Sequence, residues 1–193
     1  MQSLHLDLRD GAMVRETLTR FGQGGLYALI YSAACFEPKR AISTYTYETC
    51  QDIYTVNVFG LLGCLSALYE ALKASRGRII VLNSIAGRRH SQTAGVLYTS
   101  SKYALSGLVR QLSQDFAADQ VLINSLFLGP VAEGMTLDHI SAATMERVAG
   151  TIPLRRLAGV EDIFPAITYL LDPKNSYMTG AGIDLNGGAF VSG

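Results

Sequence analysis

The chain has 193 residues, 49% of them hydrophobic and 17% charged; this core-rich composition suits one domain over residues 1–193 and excludes a disordered chain. Sixteen basic residues balance sixteen acidic ones, so charge gives no reason to expect nucleic acid or an acidic membrane as a partner. Cys35, Cys50 and Cys64 show no paired spacing and suit reduced thiols of a cytoplasmic protein, and there is neither a charged-then-apolar leader nor an uninterrupted apolar run of ~18 residues.

Leu4, His5 and Leu6 form a brief strand candidate ending at Asp7. Gly24 and Gly25 punctuate the chain before residues 26–31, LYALIY, a continuous apolar run suited to a buried parallel strand. Ile53, Val56, Leu61, Leu65, Leu68 and Leu72 then recur near three- and four-residue spacings, predicting a helix over residues 50–74. RIIVL, residues 78–82, is the clearest strand, β-branched and unbroken. A second long helix is predicted over 98–118, with Leu105, Leu108, Leu112 and Phe116 on one stripe. A strand over 121–128 stops at Gly129-Pro130; helices over 138–149 and 161–171 follow, the second with Pro165 near its start. Residues 182–185 form the last strand, and Asn186-Gly187-Gly188 turns out of it.

Strands separated by helices of this length imply parallel pairing with right-handed crossovers, hence a doubly wound α/β sheet. Ligands of such sheets sit outside the carboxyl ends of the strands. That rule points to Asp7-Leu8, Ser32-Ala33-Ala34, Asn83-Ser84 and Gly129-Pro130.

Tyr98 and Lys102 are four apart on a predicted helix and project from one face. An ammonium beside a phenol favours phenolate, so this spacing predicts a Tyr98 pKa lowered toward working pH, suited to exchanging a proton with a carbonyl or alcohol oxygen. Ser84 follows a strand directly and is placed to hydrogen-bond the same oxygen. Asn57, in the preceding helix, completes a polar relay through its amide or backbone carbonyl. Taken singly, a tyrosine–lysine pair is more often a solvated helix face, and such a serine more often a turn residue. The order strand, serine, helix, tyrosine, lysine favours chemistry. No His/Cys/acid cluster suggests a metal, and no G-x-S-x-G elbow marks Ser84 as a hydrolase nucleophile.

Ser84, Tyr98 and Lys102, with Asn57 in YTVNVFG and the stretch SIAGRRHSQTAGVLYTSSKYAL, resemble the catalytic tetrad and its setting in the short-chain dehydrogenase/reductases. LHLDLRD, LIYSAA, INSLFLGPVAEGMT, RRLAGVEDIFPAITYLL and YMTGAGIDLNGG extend the resemblance along the chain, and the texture is most similar to 3-oxoacyl carrier-protein reductases. The resemblance implies a Rossmann-like fold and an NAD- or NADP-dependent interconversion of a carbonyl and an alcohol on a small molecule. Tyr98 then exchanges the proton, Ser84 holds the oxygen, Lys102 tunes the tyrosine and grips the nicotinamide ribose, and Asn57 links the lysine to a water chain. It also implies a cofactor site formed by Asp7, Leu8, Ser32, Ala33, Ala34, Tyr98, Lys102, Gly129, Pro130 and Val131, and a homo-oligomer built on the two long helices.

The departures fall on the cofactor side. The sequence begins at what resembles the family's third strand, so the sheet is expected to be truncated at its N-terminus, with the first two strands and their glycine-rich turn absent. Gly22, Gly24 and Gly25 precede a strand and read as a loop. Strand 26–31 is then expected to show an unpaired edge and the isolated monomer to be poorly stable. Tyr31-Ser32-Ala33-Ala34 replaces N-N-A-G, Leu128 replaces a proline, Glu133 stands where a threonine is common, and Ser84 precedes Tyr98 by one position more than expected. These changes support an alternative: a cofactor-free pseudoenzyme or interaction subunit. The substrate pocket is expected between residues 86–95 and 131–148, where Met135, Leu137, Ile140 and Met145 suit a substrate with a hydrophobic portion.

Overall fold

The computed structural model describes residues 3–135 and 139–191. Its centre is a parallel sheet of four strands, β1 Ala28–Tyr31, β2 Arg78–Ser84, β3 Leu122–Leu128 and β4 Gly182–Leu185, adjacent in chain order. Ala28 aligns with Arg78, Arg78 with Leu122, and Ser125 with Gly182. β2 and β3 are the interior strands and nearly every residue in them is buried, which explains the apolar run in β2.

Alternation along the strands divides the core. Tyr31, Ile79, Val81 and Ile123 face α1 (Gly11–Gly22), α3 (Gly60–Ser75) and α4 (Val96–Asp115). Ile80 and Leu126 face α6 (Val160–Leu171) through Ile163 and Leu170. Between these helices lie α2 (Tyr47–Tyr54), running through a π-helical stretch (Thr55–Phe59) into α3, and α5 (Ala142–Thr151). The strand order advances in one direction while α6 lies opposite α3 and α4, so the β3–β4 crossover has the reverse hand of the two before it. This differs from the uniform right-handed winding expected above. The face holding α3 and α4 is already covered, and the apolar stripe of α6 is buried on the other.

Residues 4–6 are not a strand. Leu6 packs on the first core cluster from outside the sheet, and the Asp7 carbonyl accepts from the Asp10 amide at 3.0 Å, turning the chain into α1. That helix is unexpected: the Asp10 carboxylate caps it by accepting from the Met13 amide at 2.9 Å, while Val14 and Leu18 bury one face. The predicted helix over 50–74 is broken locally by the π stretch. By length and composition the rod Tyr47–Ser75 is apolar enough to cross a membrane, but Leu61, Leu65, Leu68 and Leu72 place its stripe in the core. Among the described residues no strand pairs with the outer edge of β1, where Tyr27 and Ile30 are 39% and 42% exposed. The helix predicted over 138–149 is observed as α5, capped by Ser141; Leu137 and Asp138 lie outside the described residues. Pro165 sits in the second turn of α6 without ending it.

Candidate active site

A cavity of about 620 Å³ opens at the carboxyl ends of the strands. Ser84, the last residue of β2, contributes one wall; its hydroxyl accepts from the Ala86 amide at 3.1 Å as the chain enters a tight turn. Tyr98 and Lys102, one helical turn apart on α4, contribute the opposite wall, with Lys102 Nζ 5.4 Å from the phenol ring centre. The Ser84 side chain faces the Tyr98 phenol and favours its charged form. Lys102 is 3% exposed, and its amine donates one long hydrogen bond, 3.5 Å, to the Leu82 carbonyl.

The electrostatics correct the expectation drawn from spacing. Burial pushes the Tyr98 phenol above its ordinary value, only partly offset by the Ser84 side chain. Burial also brings the Lys102 ammonium down to about 8. Both groups lose solvation inside the same walls, and burial disfavours the charged form of each.

Ser32, Ala34, Gly129, Pro130 and Val131 line this cavity with Ser84, Tyr98 and Lys102. Ala33 turns away and packs on the first core cluster, as does Leu8. Asp7 is on the surface, where its carboxylate accepts from the Arg9 amide at 3.0 Å. Asn57 is fully buried beneath the floor. Its Oδ1 accepts from the Cys35 amide at 2.6 Å, and its Nδ2 donates to the Cys35 carbonyl and to Ser101 Oγ, both at 3.0 Å. Ser101 Oγ donates in turn to the Tyr98 carbonyl at 2.8 Å. The asparagine therefore reaches the backbone of the tyrosine, with its amide consumed in holding the loop after β1.

The arrangement can hold a carbonyl or alcohol oxygen between two hydroxyls, with an amine nearby and apolar walls excluding water. A sequence model described as enoyl-(acyl carrier protein) reductase matches residues 2–189. An uncharacterized oxidoreductase of Escherichia coli K12, YgfF, is 32% identical over 191 residues, covering 96% of this chain and 77% of that protein. The chain belongs to the short-chain dehydrogenase/reductase family. A solved short-chain dehydrogenase/reductase from Mycobacterium marinum superposes with a TM-score of 0.88 at 25% identity, covering 98% of this chain and 75% of that one. The Pseudomonas aeruginosa RhlG/NADP active-site complex gives 0.89 at 25% identity, covering 97% and 76%. The family is one of oxidoreductases, and the four-stranded parallel sheet belongs to its Rossmann-like core.

Of three positioning residues in this short-chain dehydrogenase/reductase, Glu37 and Ser101 escaped the sequence reading, and Asn83 was pointed to only by its place at a strand end. Glu37 is 4% exposed and caps α4 from a distant segment: its Oε2 accepts from the amides of Leu97 and Tyr98 at 3.1 and 3.2 Å, while Arg40 Nε lies 3.4 Å from Oε1. Gly95 makes room for it, since a Cβ there would sit 2.5 Å from the carboxylate. Asn83 accepts from the Ser84 amide at 2.8 Å and donates to the Lys102 carbonyl at 3.2 Å, tying strand end to helix. Ser101 is the third, through the bonds just given. Ser101 adjoins the singled-out Lys102; nothing near Glu37 in sequence marks its target sixty positions on.

Proposed function

We propose that this chain interconverts a carbonyl and an alcohol on a small molecule with NAD or NADP, using Ser84, Tyr98 and Lys102 directly and Asn57 as their support. The observation carrying this reading is the convergence of the Ser84 hydroxyl, the Tyr98 phenol and the Lys102 amine on one cavity. The residues fit a nicotinamide nucleoside on one test in particular. Lys102 is a buried amine with three donors, and its single described bond is a long one to a carbonyl. The remaining donors suit vicinal ribose hydroxyls, and Ser32, Ala34, Gly129, Pro130 and Val131 would line the rest of the bound group. The presence of NADP in the related RhlG structure supports the same assignment. The nicotinamide, when bound, supplies or accepts the hydride at the reacting carbon.

In the reducing direction Tyr98 gives its phenolic proton to the substrate oxygen, and Ser84 holds that oxygen by a second hydrogen bond. The buried Lys102 amine takes a proton readily near pH 8; as an ammonium it stabilises the phenolate that Tyr98 becomes. Asn57 and Ser101 fix the turn of α4 that aims the phenol. The cavity excludes water while the oxygen changes charge.

We also read the protein as a cytoplasmic homo-oligomer. Free thiols at Cys35, Cys50 and Cys64 suit that compartment, and Phe59, Leu62 and Tyr103 expose apolar surface on or beside α3 and α4. The deciding test is oxidation of NADH and NADPH with a panel of ketones and aldehydes, in the wild type and Tyr98→Phe. A fall in kcat of about 10²–10⁴ in the variant, with dinucleotide affinity unchanged, is expected. Equal turnover by the two proteins would overturn the role of Tyr98. Absence of dinucleotide binding to the wild type would instead favour the interaction-subunit reading.

A further inference from the structure

Two consecutive arginines follow the turn after Ser84, and the fold treats them differently. Arg88 is engaged by the fold: its guanidinium pairs with Asp184 at 3.4 Å, its Nη2 donates to the Gly182 carbonyl at 3.1 Å, and its plane sits 3.8 Å over the Phe127 ring. Arg89 lines the catalytic cavity and has no side-chain partner among the described residues. Its Nε is out of contact with solvent and makes no hydrogen bond. A solvated surface arginine would keep that N–H in water. A structural arginine would set its guanidinium against a carbonyl or carboxylate, as Arg88 does against Gly182 and Asp184.

We infer that Arg89 is the receptor for an oxyanion, a carboxylate or a phosphate, carried by the substrate. The guanidinium of the half-buried Arg89 lines the cavity with no ion-pair partner among the described residues, and its plane matches a two-oxygen anion by paired N–H donors. The other wall supplies the rest of the class. Val148, Ile152, Ile163, Phe164 and Ile167 line the cavity and suit an apolar body between the reacting carbon and the anion. Glu133 also lines it, but is exposed on the segment after β3, where water screens its charge. His90, beside Arg89, is exposed at the mouth. The preferred substrate is thus an oxo acid, a hydroxy acid or a phosphorylated equivalent with an apolar chain.

This inference rests on the catalytic reading of the same cavity, and it is tested by binding alone so that the two can fail separately. The probes are 4-phenylbutanoate, its neutral analogue 4-phenylbutanamide, and 2-phenylethyl phosphate, titrated calorimetrically into the wild type, Arg89→Gln and Arg89→Lys at low and high salt. Arg89 holds up no described neighbour through its side chain, so both variants are expected to fold. At least one anion should bind the wild type tenfold or more tightly than the amide. The preference should vanish in R89Q, persist weakly in R89K, and shrink with salt. Which anion wins distinguishes a carboxylate from a phosphate substrate. Equal binding of amide and both anions, or a preference undiminished in R89Q, overturns the inference. So does a selective loss of NADP affinity over NAD affinity in R89Q, because the arginine would then serve a cofactor phosphate. Loss of turnover in Tyr98→Phe bears on none of these outcomes.

Discussion

Replacing Lys102 by methionine should make the protein inactive and, at neutral pH, more stable. The ammonium is 3% exposed and titrates at about 8, against its ordinary 10.5. The folded state therefore holds this proton less firmly than the unfolded state does, and stability rises with pH between those two values. Below pH 8 both states carry the proton and the full penalty stands, about 3 kcal/mol at 1.36 kcal/mol per pH unit. Near pH 10 the folded state has released it while roughly a quarter of unfolded chains have done so, and less than about 1 kcal/mol remains. Methionine matches the lysine stem in volume, and the bond lost to the Leu82 carbonyl is long. The variant should thus melt higher by about 6–12 °C at pH 7, taking 2–4 °C per kcal/mol for a domain of this size. That gap should close steadily toward pH 10. The raised Tyr98 phenol acts in both proteins and cancels from the difference. Differential scanning fluorimetry across that range, beside a dinucleotide turnover assay, gives the answer. A variant less stable at pH 7, or a gap that does not change with pH, would refute the assignment of Lys102 as a buried amine held against its own solvation.

Removing the cap in Glu37→Ala leaves the Leu97 and Tyr98 amides without their acceptor and should lower unfolding free energy by about 1–3 kcal/mol in urea melts. Gly87→Ala places a Cβ 2.7 Å from the Lys102 carbonyl; it should destabilise by about 1–3 kcal/mol and reduce kcat, because the turn after Ser84 must retreat from α4. Phe59, 55% exposed at the start of α3, should matter to assembly: Phe59→Glu should lower the mass measured by light scattering and leave the monomer folded, and an unchanged mass would remove α3 from the interface.

The interior strands were legible because burial on both faces favours apolar, β-branched residues, as in IIVL of β2. The positions of Ser84, Tyr98 and Lys102 were legible because strand end and helix spacing are local properties. Two kinds of feature were not. Helix α1 carries only two buried side chains in a polar segment, so its periodicity is faint, and its origin is a single cap at Asp10. The burial that sets Tyr98 and Lys102 comes from several segments closing over them, and a four-residue spacing records their proximity without recording their solvation. The hand of the last crossover is equally hidden, since the stripe of α6 says that one face is buried and not against which side of the sheet.

The connection from Leu128 to Gly182 leaves the sheet beside β3 and returns to pair with that same strand. Gly182 aligns with Ser125, three residues before Leu128, so the two ends of the connection are held at a fixed separation whatever lies between them. Closing a longer chain between fixed ends adds only about 0.6 kcal/mol for each doubling of length. Residues inserted after Pro130 would reshape one side of the reaction chamber while the other side, built from the loops after β1 and β2, kept its dimensions. The shape of the cavity can drift by insertion, independently of Ser84, Tyr98 and Lys102.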